Sequence, residues 1–495
     1  MSPFDAARYA RLLKGLEAIE RPASDVFSRE RMDSEAFAKA ALELSARLAK
    51  LPRVDAVSQV AAVSDGNHLS IANEFGEAEG GVRYLRGQDI NGAMMLDDRN
   101  PVFIPESEYD KLARSHIFRD DVLITIVGAN TGQTALVDAA PEKLTANCKL
   151  GILRAKRGVI APAYLHAFLA GRYGQSQVLS AKRGGGQMGL ILPDLKALAI
   201  ARFSEKFEAR VAYVSILAHQ TNRERQAHFG GVEAVLLTAL GLGAWRAPES
   251  LSYVRQSSEA FSAARLDAEH FQEKFYSARQ ALLDAGAKRF VPLPELLIAL
   301  TNGHTPLRHD LNVGDVPFLC AEHVTDFNMS YESDKRILLE HHHGELARTA
   351  LRDGDVLFTI KGRVGNAAIA ERVPGPVNIN QDVGLLRFTD ELPLWYIVAY
   401  LNCQFGKLQS EKMATGAINP FLGLFSIRQF EVPEFDRGVM EDIARRTQRF
   451  VSKTREASQR ATQLLDAAKR AVEIAIEDSE AAALAYLDRV APRVH

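Results

Sequence analysis

Hydrophobic residues follow two alternating rhythms along this chain, and the whole succession of rhythms occurs twice. Residues 5–19 carry apolar side chains at helical spacing until Pro22 stops the run. A second helical stretch covers 34–50. From Val54 the pattern changes to short alternating runs broken by Gly, Asn and Asp, which predict strands at 82–85, 101–104, 121–128, 133–137 and 149–155. A helix over 162–171 and the glycine-rich stretch 181–189 follow. A proline-free amphipathic stretch then spans 205–239, with Gly230-Gly231 as a possible bend. Residues 241–250 read as a linker. Beyond it the order repeats: a helix over 269–285, strands near 316–320, 355–361, 366–370 and 383–388, a helix over 392–402, and a glycine-bearing loop over 414–423. The last stretch, 437–488, is free of proline and reads as one uninterrupted helix. Its apolar stripe needs a partner helix, for which the stretch 205–239 is the natural candidate.

The repetition extends to residue identity. Val82-Arg83-Tyr84-Leu85 answers Val316-Pro317-Phe318-Leu319, and Asp121-Val122-Leu123 answers Asp355-Val356-Leu357, at a spacing of 316 − 82 = 234. Phe27…Arg31-Met32-Asp33-Ser34-Glu35 meets Phe261…Arg265-Leu266-Asp267-Ala268-Glu269 at the same spacing. Gly132, Asn147 and Gly151 meet Gly365, Asn380 and Gly384 at 233, and Gly174 and Gly184 meet Gly406 and Gly416 at 232. Two single-residue slips in some 200 residues mark a tandem duplication. At 495 residues the chain holds two units, each long enough for its own core.

Composition narrows the class. Hydrophobic residues make up 47% and charged residues 25%, as in ordinary globular proteins. No run nears the roughly 18 apolar residues of a membrane span, and the acid-bearing N-terminus resembles no signal peptide. Cys148, Cys320 and Cys403 are too few and scattered for a disulfide framework or zinc site, which places the chain in a reducing cytoplasm. Net charge is −2, yet residues 147–227 hold 13 Lys+Arg against 4 Asp+Glu, so one basic face is within reach.

The search for catalytic chemistry finds none. There is no carboxylate-lysine set for a metal-dependent nuclease and no Gly-x-Ser-x-Gly or phosphate-binding Walker loop. Asn419-Pro420-Phe421 lacks the second proline of a base methyltransferase tetrad. His341-His342-His343 has no counterpart in the first copy and reads as a surface loop, so no metal site is expected. What remains is polar side chains on glycine-bearing loops at matching places. Lys and Arg there suit phosphates, and Asn, Gln and Arg can read base edges. The candidate DNA-binding residues are Arg86, Gln88, Asn130, Lys149, Lys182, Arg183 and Gln187 in the first copy. In the second they are His304, Arg308, Lys361, Arg363, Asn380, Lys412 and Asn419.

The order Arg-x-Asp-x-Glu, Tyr84-Leu85-Arg86-Gly87-Gln88-Asp89-Ile90, the Asp121 to Gly128 strand, a glycine loop near 184–186 and a long helix, given twice, resembles the specificity (S) subunits of type I restriction–modification enzymes. The resemblance implies an α+β fold of two pseudo-two-fold-related mixed α/β target-recognition domains joined by two long antiparallel helices, a coiled-coil spacer. In those terms residues 1–26 are an N-terminal helical segment, 27–204 the first target-recognition domain, 205–240 the first spacer helix, 241–260 a linker, 261–436 the second domain and 437–488 the second spacer helix. Val211, Val214, Leu217, Ile443, Phe450 and Leu464 are the partner-binding candidates on the spacer helices. The resemblance further implies a non-catalytic subunit that reads a bipartite asymmetric site on double-stranded DNA. It would recruit two methyltransferase (M) subunits and nuclease/translocase (R) subunits, with S-adenosylmethionine held by M and no cofactor on this chain. Two rivals remain: the specificity subunit of another methylation-based phage defence or type IIB-like system, and a scaffold whose repeated domains bind proteins.

Overall fold

The repeated Asp-Val-Leu phrase opens an inner strand of a four-stranded antiparallel sheet in each copy. In one copy the strand order is Ala61–Asp65, Leu150–Ala155, Asp121–Thr125, Thr134–Leu136; in the other it is Leu297–Asn302, Val383–Phe388, Val356–Thr359, Ala367–Ile369. The phrase recurs because its aspartate does two jobs. The Asp121 carboxylate accepts the Phe118 N–H (2.9 Å) and grips Arg154 on the neighbouring strand with two bonds (2.8 and 2.7 Å). Asp355 treats the Arg352 N–H and Arg387 the same way (2.9, 2.7 and 2.8 Å). Each carboxylate is buried and fully paired, as a buried charge must be.

The structure, a computed structural model, describes residues 11–14, 19–29, 31–76, 81–96, 101–139, 142–184, 189–307, 311–416 and 419–491. The chain divides into two units: the first combines residues 1–226 with 456–495, and the second spans 227–455. Among the described residues their sheet topologies agree, except that unit two adds a short antiparallel ribbon, Val324–Thr325 with Asn328–Met329. Each has a three-stranded sheet with one antiparallel and one parallel pairing, ordered Phe103–Ile104, Val82–Leu85, Leu144–Ala146 in one and Arg336–Ile337, Val316–Leu319, Asn378–Ile379 in the other. Each also has a two-stranded ribbon, Val54–Ala56 with Ala199–Ala201, and Arg289–Pro292 with Glu431–Glu434. Each unit also has a helix pair whose first member is buried and whose second is buried on one face: Pro162–Ala170 with Arg172–Ala181, and Leu394–Asn402 with Gln404–Met413.

The Arg-x-Asp motif proves to be a helix stop. Arg31 is held by Asp33 and donates to the carbonyls of Ser180 and Lys182 (2.5 and 2.6 Å) at the end of the helix Arg172–Ala181. Arg265, held by Asp267, donates to the Lys412 carbonyl (3.5 Å) at the end of Gln404–Met413. A guanidinium there satisfies carbonyls without helical partners and opposes the negative end of the helix dipole.

Glu205–Ala239 is a single 35-residue helix, as its apolar stripe predicts, and Gly230-Gly231 does not interrupt it. A Cβ on Gly231 would lie 3.0 Å from the Phe450 ring, so the glycine makes room for an aromatic. The second long helix runs only over Arg437–Glu477, not to 488. Ser479 leaves helical geometry, its hydroxyl caps the Ala482 N–H (3.2 Å), and a new helix runs over Glu480–Val490. The N-terminal half of the first helix packs in unit one, where Val211, Val214 and Ala218 share a core with Ala461, Leu464, Leu465, Ala468 and Val472. Its C-terminal half packs in unit two, where Val232, Val235 and Leu236 share a core with Ile443, Ala444 and Val451.

This burial revises the partner-binding assignment. Val211, Val214, Ile443 and Leu464 are fully enclosed by the chain's own residues, and Leu217 and Phe450 pack partly buried beside them. Each packs within the core of its own unit, and only Leu217 and Phe450 keep part of their side chains accessible. Two smaller expectations also change. The helix over 34–50 is a short 3-10 turn, Glu35–Phe37, followed by Lys39–Leu48. The histidine tract lies on the helix Leu339–His343, with His342 buried against Asn378 (3.2 Å). The helix over 5–19 falls mostly outside the described residues. Among the described residues no helix is long and apolar enough to cross a membrane.

Candidate nucleic-acid interface

One isoleucine backbone in each unit ties three loops together. The Ile126 N–H donates to the Lys149 carbonyl (2.8 Å), and the Ile126 carbonyl accepts the Leu190 N–H (2.8 Å). Ile360 does the same with the Asp382 carbonyl (3.0 Å) and the Leu422 N–H (2.8 Å). The loop after the central strand, the turn before the next strand of that sheet and the glycine loop after the helix pair therefore meet at one end of each four-stranded sheet. The candidates drawn from separate parts of the sequence are brought to this junction: Asn130, Lys149, Lys182 and Arg183 in unit one, and Lys361, Arg363, Asn380 and Asn419 in unit two.

The frame is held by the elements that repeat. Asn147 and Asn380 close equivalent side-chain turns by accepting the N–H groups of Lys149 (3.2 Å) and Asp382 (3.0 Å). A second strand end presses on each turn so closely that a Cβ on Gly66 would stand 2.0 Å from the Asn147 carbonyl oxygen, and one on Gly303 1.7 Å from that of Ile379. Gly132 and Gly365 adopt φ of 102° and 91° and return an N–H to the strand at Thr125 and Thr359 (2.8 and 2.9 Å).

Within the frame the candidates differ in freedom. Gln88, Lys149, Arg183, Lys361, Arg363 and Asn419 are exposed. Lys361 approaches Asp382 at a long 3.7 Å, while Arg183 makes a two-bond pair with Asp194 (2.9 and 2.8 Å). Asn130 is half-buried beside Gly128 and Gly132. Lys182 is also half-buried, and desolvation lowers its pKa from the ordinary lysine value. His304 shares the Glu345 carboxylate with His341 (2.9 and 2.7 Å). Gln187 and Arg308 lie outside the described residues.

Three candidates are committed to the fold. Arg86 pairs with buried Asp89 (3.0 Å), which also meets Arg83 (3.2 Å). Asn380 is buried, with its amide on Asp382 (2.9 Å). Lys412 packs over the Tyr276 ring at 5.0 Å, and burial, then the Arg279 charge, lower its pKa. Counted from the paired Gly184 and Gly416, Lys412 corresponds to Ser180 and Lys182 to Ala414, so these lysines occupy different places.

Two features were not read from the sequence. Cys320, Glu322 and His323 bring possible ligand atoms within 4.8 Å of one another. The Lys335 ammonium already bonds Cys320 Sγ (3.3 Å) and Glu322 (3.2 Å), and the Cys320 N–H donates to His323 Nδ1 (3.0 Å), so a protein cation sits where a metal would. Phe421, weighed in the sequence only as the aromatic of an incomplete methyltransferase tetrad, belongs to the loop junction of unit two and is 44% exposed.

No protein-family model matches the chain, and no curated protein does. Among solved structures it is similar to the type I restriction-modification S subunit from M. genitalium, at 12% identity over 90% of this chain and 96% of that one, with a TM-score of 0.38. It is similar to the HsdS subunit from Thermoanaerobacter tengcongensis at 16% identity, 87% and 98% coverage and a TM-score of 0.30. The type IIG restriction endonuclease BpuSI matches at 14% identity over 43% of this chain and 35% of its own, with a TM-score of 0.29.

Proposed function

We propose that this chain is the DNA sequence-specificity subunit of a type I restriction–modification complex. The observation that carries the reading is the junction of three loops, built by the same hydrogen bonds in both units but furnished with different exposed side chains. A preserved frame with variable contents suits one task performed on two different sequences. Each unit would read one half of a bipartite asymmetric site through base-edge contacts, worth about 1–3 kcal/mol of discrimination for each bidentate pair. The two long helices would act as the spacer that sets the gap. Because both readers share one chain, the second half-site is bound at high effective concentration. Methylation would then belong to recruited M subunits holding S-adenosylmethionine, with the target base flipped from the duplex, and cleavage to R subunits. Cytoplasmic location accords with this role.

The test is a gel shift of the full chain on random duplex over a salt series. Phosphate contacts impose a logarithmic slope of about −0.9 per neutralised phosphate. A steep response supports DNA recognition. A flat one rejects it and favours the scaffold reading.

A further inference from the structure

The two junctions differ at one backbone node. In unit one Gly189 pairs with both Val127 and Arg183, exchanging bonds with Arg183 (2.9 and 2.8 Å). In unit two Phe421 pairs with Lys361 and Thr415, exchanging the equivalent bonds with Thr415 (2.8 and 2.9 Å). The same node therefore carries no side chain in one unit and an aromatic ring in the other. The ring is not spare core: the next residue, Leu422, turns inward and is fully buried, while Phe421 stays 44% exposed. Around it the exposed groups are polar or cationic, namely Lys361, Arg363, Thr415 and Asn419. An apolar surface pinned by two backbone bonds among hydrogen-bonding groups is preorganised for a ligand edge that is polar with one apolar point. On the major-groove edge of DNA the apolar point is the 5-methyl group of thymine.

Building on the proposed DNA role, we infer that Phe421 is a specificity-determining residue that reads a thymine methyl in the half-site bound by unit two. Unit one, with Gly189 at the node, makes no such contact there.

The experiment selects tight-binding duplexes from a random pool with the full chain, then replaces each thymine in turn with deoxyuridine, which removes only the methyl. At one thymine of one half-site, wild-type affinity should fall about fourfold, the worth of one buried methyl group. F421G, which copies the residue found in unit one, should be insensitive at that position, and F421L, which keeps an apolar side chain, should stay sensitive. Equal sensitivity of wild type and F421G, or no sensitive thymine in either half-site, overturns the inference. So does 2-aminopurine fluorescence showing base unstacking that F421G abolishes, since the ring would then be a wedge and not a methyl reader. A chain that retains no duplex at all refutes the DNA role itself, and is told apart because selection then yields no sequence.

Discussion

Two histidines touch inside unit one, one on the helix Pro162–Ala170 and one on the first long helix. His219 Nε2 lies 3.2 Å from His166 Nδ1, and His166 Nε2 lies 3.2 Å from the Met94 carbonyl. Burial pushes His166 down to about 4, and burial and then His166 itself lower His219. Lys469 disfavours a proton on the first and Arg223 on the second, so both rings stay neutral in the folded chain. Folded values below the unfolded value mean that stability is complete above about pH 6.5 and lost as pH falls toward 4, because the unfolded chain binds protons that the folded chain refuses. By pH 5 the loss from His166 alone is about 2 kcal/mol. Urea midpoints at pH 8 and 5 should therefore separate less in the double variant His166→Gln/His219→Gln than in the wild type; equal separations would show the pair to be irrelevant. Nothing in the sequence announces this pair, since its members stand 53 residues apart in different rhythms. Asp121 and Asp355 were conspicuous through repetition, but their arginines were not, because a strand partner is set by register and not by proximity along the chain. Asn380 misled for a related reason: an asparagine on a loop can read a base or close a turn, and only the Asp382 bond decides.

At the scale of elements, the first long helix was legible to within a residue because a proline-free stripe of apolar residues leaves one folding option. The second was read eleven residues too long (488 − 477), since Asp478 and Ser479 look like any polar helix face until the Ser479 hydroxyl is seen capping the next helix. Leu144–Ala146 was missed because three residues cannot establish an alternation, and Ala61–Asp65 because Ala-Ala-Val-Ser-Asp holds a single strand-favouring residue. The long helices contribute to the core of each unit. Ile443 is fully buried in the unit-two core with Val232 and Leu236, so Ile443→Ala should destabilise that unit by about 2–4 kcal/mol through lost transfer energy and a residual cavity. Hydrogen-exchange mass spectrometry should register faster exchange in the Val356–Thr359 and Val383–Phe388 strands, with the unit-one strands Asp121–Thr125 and Leu150–Ala155 unchanged. Equal acceleration in both sets would mean that the units unfold as one.

For the whole molecule, duplication was the most legible property and the contents of the two sites the least. Glycines and asparagines that repeat do so because backbone geometry demands them, whereas the side chains offered to a ligand are free to diverge and leave no pattern. That division yields a prediction about independence. Lys361 and Arg363 are exposed on the loop of unit two that the Ile360 backbone ties to its neighbours. If they contact phosphates, the double variant Lys361→Ala/Arg363→Ala should lower the salt slope of DNA binding by up to about 2, one for each lost contact. Sequences selected by that variant should stay defined in one half-site and relax in the other. Lys149→Ala, exposed on the matching turn of unit one, should weaken binding through the opposite half-site and leave the first intact. Relaxation of both half-sites by either variant would contradict separate readers, because two units with their own loop junctions have no physical reason to fail together unless the bound sequence is read by a single composite surface.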